Sequence, residues 1–236
     1  MSQLSRDEKR NYLELDRIIF IGRTYEEYVM MFRLDSWDLQ NKKILDCPAG
    51  ACSFTARANE LGIDVTACDI AYTHPSNDLK KKGLEDISYA MNGLSKAKHK
   101  YIWEYFRDVE HLKENRIEAL TECVEDMKTN NNRYVPTNLP SLPFCDKTFD
   151  VTLSAHFLFM YSDRLDFTFH LNTIKELMRV TKEEIRIFPL VDLEGKRYTY
   201  LDEVIEFLTE AGSVVAEVKS EYEFHANAHS MLVIKV

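Results

Sequence analysis

No apolar run among these 236 residues approaches the roughly 20 needed to cross a bilayer, so no membrane partner is expected. The first ten residues, Met-Ser-Gln-Leu-Ser-Arg-Asp-Glu-Lys-Arg, are polar and mixed in charge, without the apolar stretch of a secretory signal. Cysteine is sparse: five copies show neither Cys-x-x-Cys nor Cys/His spacing of zinc type. That argues against a metal site and reads as reduced thiols in a cytoplasmic protein. Positive charge is short as well, since 30 Lys and Arg against 39 Asp and Glu leave a net −9. A protein that holds nucleic-acid backbone wants a basic face, so no nucleic-acid partner is expected. The run Lys80-Lys81-Lys82 reads as a solvated helix face. What remains, 45% hydrophobic and 29% charged residues, is an ordinary globular composition, long enough for one large domain or a domain with an elaborated cap.

Chemistry gathers between residues 44 and 69. Ile44-Leu45 is an apolar run that ends in Asp46 and passes through the turn Cys47-Pro48-Ala49-Gly50-Ala51-Cys52. A helical pattern follows from Ser53 to Leu61, with Gly62 where a C-cap glycine belongs. Roughly twenty residues beyond Asp46, the second strand, Asp64–Ile70, carries Asp69 near its end. Strand, tight loop, helix, strand and acid is how an open α/β sheet makes a nucleoside site. The ligand lies across the carboxyl ends of the strands, and the second acid holds the ribose hydroxyls.

Around this unit the chain divides by periodicity. Residues 5–33 carry apolar side chains at helical spacing (Leu13, Leu15, Ile18, Ile19, then Tyr25, Tyr28, Val29, Phe32), with Gly22 dividing two helices. This gives an N-terminal helical segment over 1–41. Residues 75–131 interrupt the α/β rhythm with helical spacing over 79–94 and 101–127, far more chain than a parallel crossover requires. They read as a helical insertion, either a surface embellishment or a cap over the site. Short strands are expected at 133–135 and 149–155, a helix at 166–180, a strand at 184–190, and a helix at 201–211. The last two strands, 214–220 and 230–236, are joined without a helix and so pair antiparallel.

In this order the chain resembles the class I S-adenosylmethionine (SAM)-dependent methyltransferases over residues 42–236. Three stretches carry the likeness: Ile44–Cys52, Asp69, and Leu142-Pro143-Phe144 followed by Phe149-Asp150-Val151-Thr152-Leu153-Ser154. The resemblance implies one doubly wound, mostly parallel seven-stranded α/β sheet, Rossmann-like, with an antiparallel seventh strand. It implies SAM as cofactor, with Asp46, Cys47, Pro48, Ala49 and Gly50 around the methionine end. Asp69 would accept from the ribose, Ile70 and Leu139 would flank the adenine, Asn138 would meet its amine, and Ser154 would lie on the fourth strand. Tyr28, with Arg23 and Phe32, would cover the pocket. The family pattern places glycines at 48, 50 and 52, and this chain has Pro48, Gly50 and Cys52. Pro48 removes a backbone donor and fixes φ.

Methyl transfer needs alignment more than a fixed dyad, and a base only where the acceptor must lose a proton. His156, just past the fourth strand, is the candidate base. Tyr161 and Asp163 follow, Asp163 as a possible helix cap. His170 reads as structural, and His225 and His229 as remote from the donor. The reading is transfer to a small-molecule acceptor. Two alternatives stay open. A methyltransferase-like protein would bind cofactor or partner without turnover. A nucleotide-dependent oxidoreductase would want Gly-x-Gly-x-x-Gly, of which residues 48–53 supply one glycine.

Overall fold

The computed structural model describes residues 18–34 and 39–236. Seven strands form one sheet: β1 (Lys43–Asp46), β2 (Asp64–Asp69), β3 (Tyr134–Pro136), β4 (Phe149–Ala155), β5 (Thr181–Phe188), β6 (Val214–Lys219) and β7 (Ser230–Lys235), in the spatial order β3-β2-β1-β4-β5-β7-β6. The first five are parallel neighbours, and β7 runs antiparallel between β5 and β6. This is the sheet of the class I methyltransferase fold. Residues alternate between two buried layers, Ile44, Val65 and Leu153 on one face and Leu45, Cys68 and Ile185 on the other. Asp46 pairs in register with Ala67 and Leu153, so β2 and β4 each run two residues beyond it. The turn after β1 therefore sits in a notch between two longer strands, where the sheet changes direction of winding.

Among the described residues, six α-helices flank the sheet: α1 (Tyr25–Phe32), α2 (Phe54–Glu60), α3 (Ser76–Lys96), α4 (Val109–Thr129), α5 (Phe167–Val180) and α6 (Leu201–Glu210). Local chemistry sets their starts. Thr24 and Glu27 form a reciprocal capping box at α1, Asp108 accepts from the His111 N–H at α4, and Asp166 accepts from the Phe169 N–H at α5.

Several boundaries differ from the sequence reading, each for a visible reason. Ile18 and Ile19 are not helical. Residues 18–24 form an irregular strap, because Gly22 lies flat on the Ala51-Cys52 backbone, where a Cβ would stand 1.8 Å from the Ala51 carbonyl oxygen. Leu13 and Leu15 lie outside the described residues. The second insertion helix starts at Val109, not Tyr101, since Asp108 caps it and residues 100–102 bond instead to residues 224–226. Asp166, not Asp163, caps α5; Asp163 pairs with Arg164 at 3.0 Å. The insertion packs into the main core through Leu79, Ile87, Leu112, Leu120 and Val124. It is no surface embellishment. Among the described residues no helix is long and apolar enough to cross a membrane.

Candidate active site

The turn after β1 is fixed from every side. The Cys47 N–H donates to the Leu153 carbonyl on β4, and the Ala49 N–H donates to the Cys68 carbonyl on β2, both at 2.9 Å. Pro48, lying between them, has no N–H to satisfy. Gly50 takes φ +56°, the left-handed region where a side chain is disfavoured. Its N–H donates to Asp69 Oδ2 at 3.0 Å, and its carbonyl accepts the Tyr72 hydroxyl at 2.8 Å. From above, the strap holds the turn: the Arg23 N–H donates to Cys52 Sγ, and the Ser53 N–H donates to the Arg23 carbonyl. The strap is itself anchored to the insertion, where buried Asp86 accepts the Phe20 N–H at 2.8 Å.

Two adjoining cavities open at this turn. The larger, about 650 Å³, is walled by Asp69, Ile70, Asn138, Leu139 and Phe169. The smaller, about 140 Å³, lies deeper, between the turn, the strap, the insertion and the C-terminal connection. Pro48, Gly50, Asp69 and Phe157 line both. Ala49, Arg23 and His156 line the smaller one alone. Asp69 at the junction has one backbone N–H on each oxygen, Gly50 on Oδ2 and Ala71 on Oδ1, leaving lone pairs for two more donors. Burial pushes its carboxyl up, partly offset by those two bonds. Ile70 beside it is 60% exposed, an apolar side chain held out at the cavity wall.

Four of the expected residues stand behind the walls instead of on them. Asp46 is fully buried, accepts the Tyr28 hydroxyl at 3.0 Å on Oδ1, and has no partner for Oδ2. Burial raises its carboxyl to about 8, with Asp69's charge adding to the rise against the Tyr28 bond. Tyr28 packs in the core, stacked on Phe54 at 4.7 Å, and its role is to hold Asp46. Cys47 and Ser154 are buried on strand ends and touch neither cavity, so direct cofactor contact is withdrawn for them. Phe32 is likewise core.

His156 follows β4 at φ +53°, a left-handed conformation sparse for a side-chain residue and recurrent at functional sites. Both ring nitrogens are shielded and, among the described residues, without hydrogen-bond partners. Burial, reinforced by the charges of Arg23 and Arg116, holds its pKa well below the usual histidine value, so the ring is neutral. His225, expected to be remote, lies on the wall of the same cavity, with its Nδ1 unpartnered. Sequence spacing gave no signal for this, because the 221–229 connection reaches the site only by pairing with residues 100–102 of the insertion. His170 is structural: its Nδ1 meets the Tyr198 hydroxyl in the opposite core. His229 is exposed.

No family model matches the sequence. The uncharacterized protein MJ0045 of Methanocaldococcus jannaschii is 34% identical over 226 residues, spanning 95% of this chain and 99% of that one. The chain belongs to the MJ0045 family. Among solved structures it is similar to the magnesium protoporphyrin IX methyltransferase of Synechocystis PCC 6803 with bound SAM (TM-score 0.48, 12% identity, 99% of this chain and 91% of that chain). It is also similar to a SAM-dependent methyltransferase from Aquifex aeolicus (TM-score 0.42, 14% identity, 89% and 91%). A third likeness is to precorrin-6y C5,15-methyltransferase of Geobacter metallireducens GS-15 (TM-score 0.43, 13% identity, 89% and 86%).

Proposed function

We propose that this protein transfers a methyl group from SAM to a small-molecule acceptor. The observation that carries the reading is the pair of cavities meeting at Gly50 and Asp69, on the carboxyl ends of β1, β2 and β4. The residues present fit the cofactor. Asp69 keeps lone pairs for the ribose hydroxyls, and Ile70 and Leu139 offer apolar faces for the adenine, with the Asn138 amide for its amine. Towards the other end are one buried guanidinium nitrogen, Arg23 Nε, on the cavity wall and one buried carboxyl oxygen, Asp46 Oδ2, behind it, neither with a partner among the described residues. A guanidinium short of a partner complements the carboxylate of a methionine, and the Asp46 carboxyl is one that an approaching ammonium would ionise.

SAM, when bound, supplies an activated methyl: the acceptor's lone pair forms the new bond as the carbon–sulfur pair returns to sulfur. The chain's own work is placement and exclusion of water. Strap and insertion roof the smaller cavity, and neutral His156 stands ready to take a proton from an acceptor that must lose one. Tyr28 supports the turn from behind through its bond to Asp46.

Calorimetric titration with S-adenosylhomocysteine tests the reading. We expect binding, and a loss of at least about tenfold in Asp69→Ala, where charge-assisted hydrogen bonds worth roughly 1.5–3 kcal/mol are removed. Unchanged affinity in a folded variant, or NAD bound more tightly than SAM, would reject it.

A further inference from the structure

We infer that the smaller cavity takes its acceptor as a single-ring compound carrying a weakly acidic hydroxyl, phenolic or enolic, and a second hydrogen-bonding substituent. This rests on the methyl-transfer reading and names the substrate class of the same site.

Size comes first. The space, about 140 Å³, is close to the roughly 150 Å³ of an apolar protein cavity that holds one benzene ring. Its far end is closed by main chain: the Ile102 N–H donates to the Phe224 carbonyl at 2.7 Å, and the Ala226 N–H donates to the Lys100 carbonyl at 3.0 Å. A fused-ring system is larger than this space. Much of the rest of the wall is apolar or aromatic, with Met91, Leu94, Leu112, Leu193 and Phe224 beside the rings of Tyr101 and Tyr161, surfaces suited to a flat body.

Charge and hydrogen bonding narrow the class. Among the described residues, the wall's only carboxylate is Asp69, engaged by two backbone N–H groups and assigned to the ribose. Its cations are Arg23 and Arg116, the latter paired with Glu27. An ammonium-bearing acceptor would meet like charge and no free counter-charge. Buried polar groups almost always have partners, yet among the described residues His156 has two buried ring nitrogens without a partner and His225 one, on two residues that line this cavity. A neutral imidazole has an accepting nitrogen. A hydroxyl supplies the donor that His156 lacks, and a second polar substituent on the ring reaches His225.

The test uses resorcinol, phenol, anisole, benzylamine and 2-naphthol as probes, by calorimetry or ligand-observed NMR. Each is run with and without S-adenosylhomocysteine, whose own binding is titrated separately. We expect resorcinol to bind tightest and phenol roughly 3- to 10-fold more weakly, the worth of one hydrogen bond. Anisole should be weaker again, and benzylamine and 2-naphthol should fail to displace resorcinol. His225→Phe should bring resorcinol down to phenol's affinity and leave phenol unchanged. His225→Gln, which keeps a polar group there, should retain part of the difference, and thermal unfolding of each variant separates lost contact from lost fold. Benzylamine or 2-naphthol binding as tightly as phenol, or resorcinol and phenol binding equally, overturns the inference. If the probe order holds while S-adenosylhomocysteine does not bind, the donor reading falls and the ring-binding assignment stands.

Discussion

Glu27 in the roof and Asp46 beneath the turn are both carboxylates without solvent exposure, and their surroundings are opposite. Glu27 accepts from both Arg116 terminal nitrogens, from the Tyr222 hydroxyl at 2.7 Å and from the Thr24 N–H at 3.0 Å. Burial pushes its carboxyl up, but Arg116 outweighs that and holds it below the usual range. Asp46 has one hydroxyl partner and one bare oxygen, and its carboxyl rises to about 8. The roof is saturated with partners: α1, α4 and the C-terminal connection are clamped through one ion pair. Among the described residues, the floor is left one partner short.

The largest expected effect comes from breaking the clamp. Arg116→Met strands the Glu27 carboxylate and should destabilise the fold by about 3–5 kcal/mol in chemical denaturation. Pairing it with Glu27→Gln should recover part of that, since a neutral buried side chain carries a smaller desolvation penalty. The sign with pH is fixed by the lowered carboxyl. Glu27's contribution is fully present above its unfolded pKa and is lost as pH falls through the folded value. The gap between parent and Arg116→Met should therefore narrow in acid.

Gly22→Ala separates roof from floor in another way. The new methyl would stand 1.8 Å from the Ala51 carbonyl, so the strap must lift from the turn. We expect a loss of roughly 1–3 kcal/mol, the usual range for overpacking. Weaker binding of S-adenosylhomocysteine should accompany it, because Arg23 moves with the strap. A variant with parental stability and affinity would show that the strap is passive.

Much of the floor was legible in the sequence because its parts are local. Strand, turn, Gly50, Asp69 and their spacing lie within one βαβ unit, and the antiparallel final pair followed from a connection too short for a crossover. The roof was not legible. Glu27, Arg116 and Tyr222 come from three separate segments, and each alone reads as an ordinary helix or loop residue. Phe106 and Trp103 kept helical spacing yet lie in an irregular stretch packed on Phe224, where tertiary contacts outweigh periodicity. His225 was misplaced because a hairpin connection was assumed to point away from the sheet's carboxyl edge.

On the proposed reading, Asp46 would make donor binding a proton-linked event. In the ligand-free protein its carboxyl is protonated below about pH 8. An ammonium near Oδ2 favours the ionised form, so binding releases a proton and affinity should rise by up to about tenfold per pH unit toward 8. Above that the donor's own α-amine, titrating near 7.7–8.0, loses its charge and the gain ends. Calorimetry at pH 6.5 in two buffers of different ionisation heat should count close to one proton released, and close to none in Asp46→Asn. The ligand-free protein carries the converse sign. A raised carboxyl pKa subtracts stability as pH climbs from the unfolded value toward 8, so Asp46→Asn should flatten that decline.

The smallest expected effect lies at the outer edge of the larger cavity. Ile70 is 60% exposed and follows Asp69 on the cavity wall, so shortening it removes little that the fold depends on. What Ile70→Ala removes is apolar surface that a bound adenine would cover. At about 25 cal/mol per Å², a few tens of Å² correspond to roughly 1 kcal/mol, or about fivefold in affinity. Adenosine and S-adenosylhomocysteine should weaken together in this variant, because the loss sits at their shared base and not at the methionine end. Asp46→Asn should weaken only the ligand that carries an ammonium. If Ile70→Ala instead spared adenosine, the base would lie elsewhere, and the larger cavity would need another occupant.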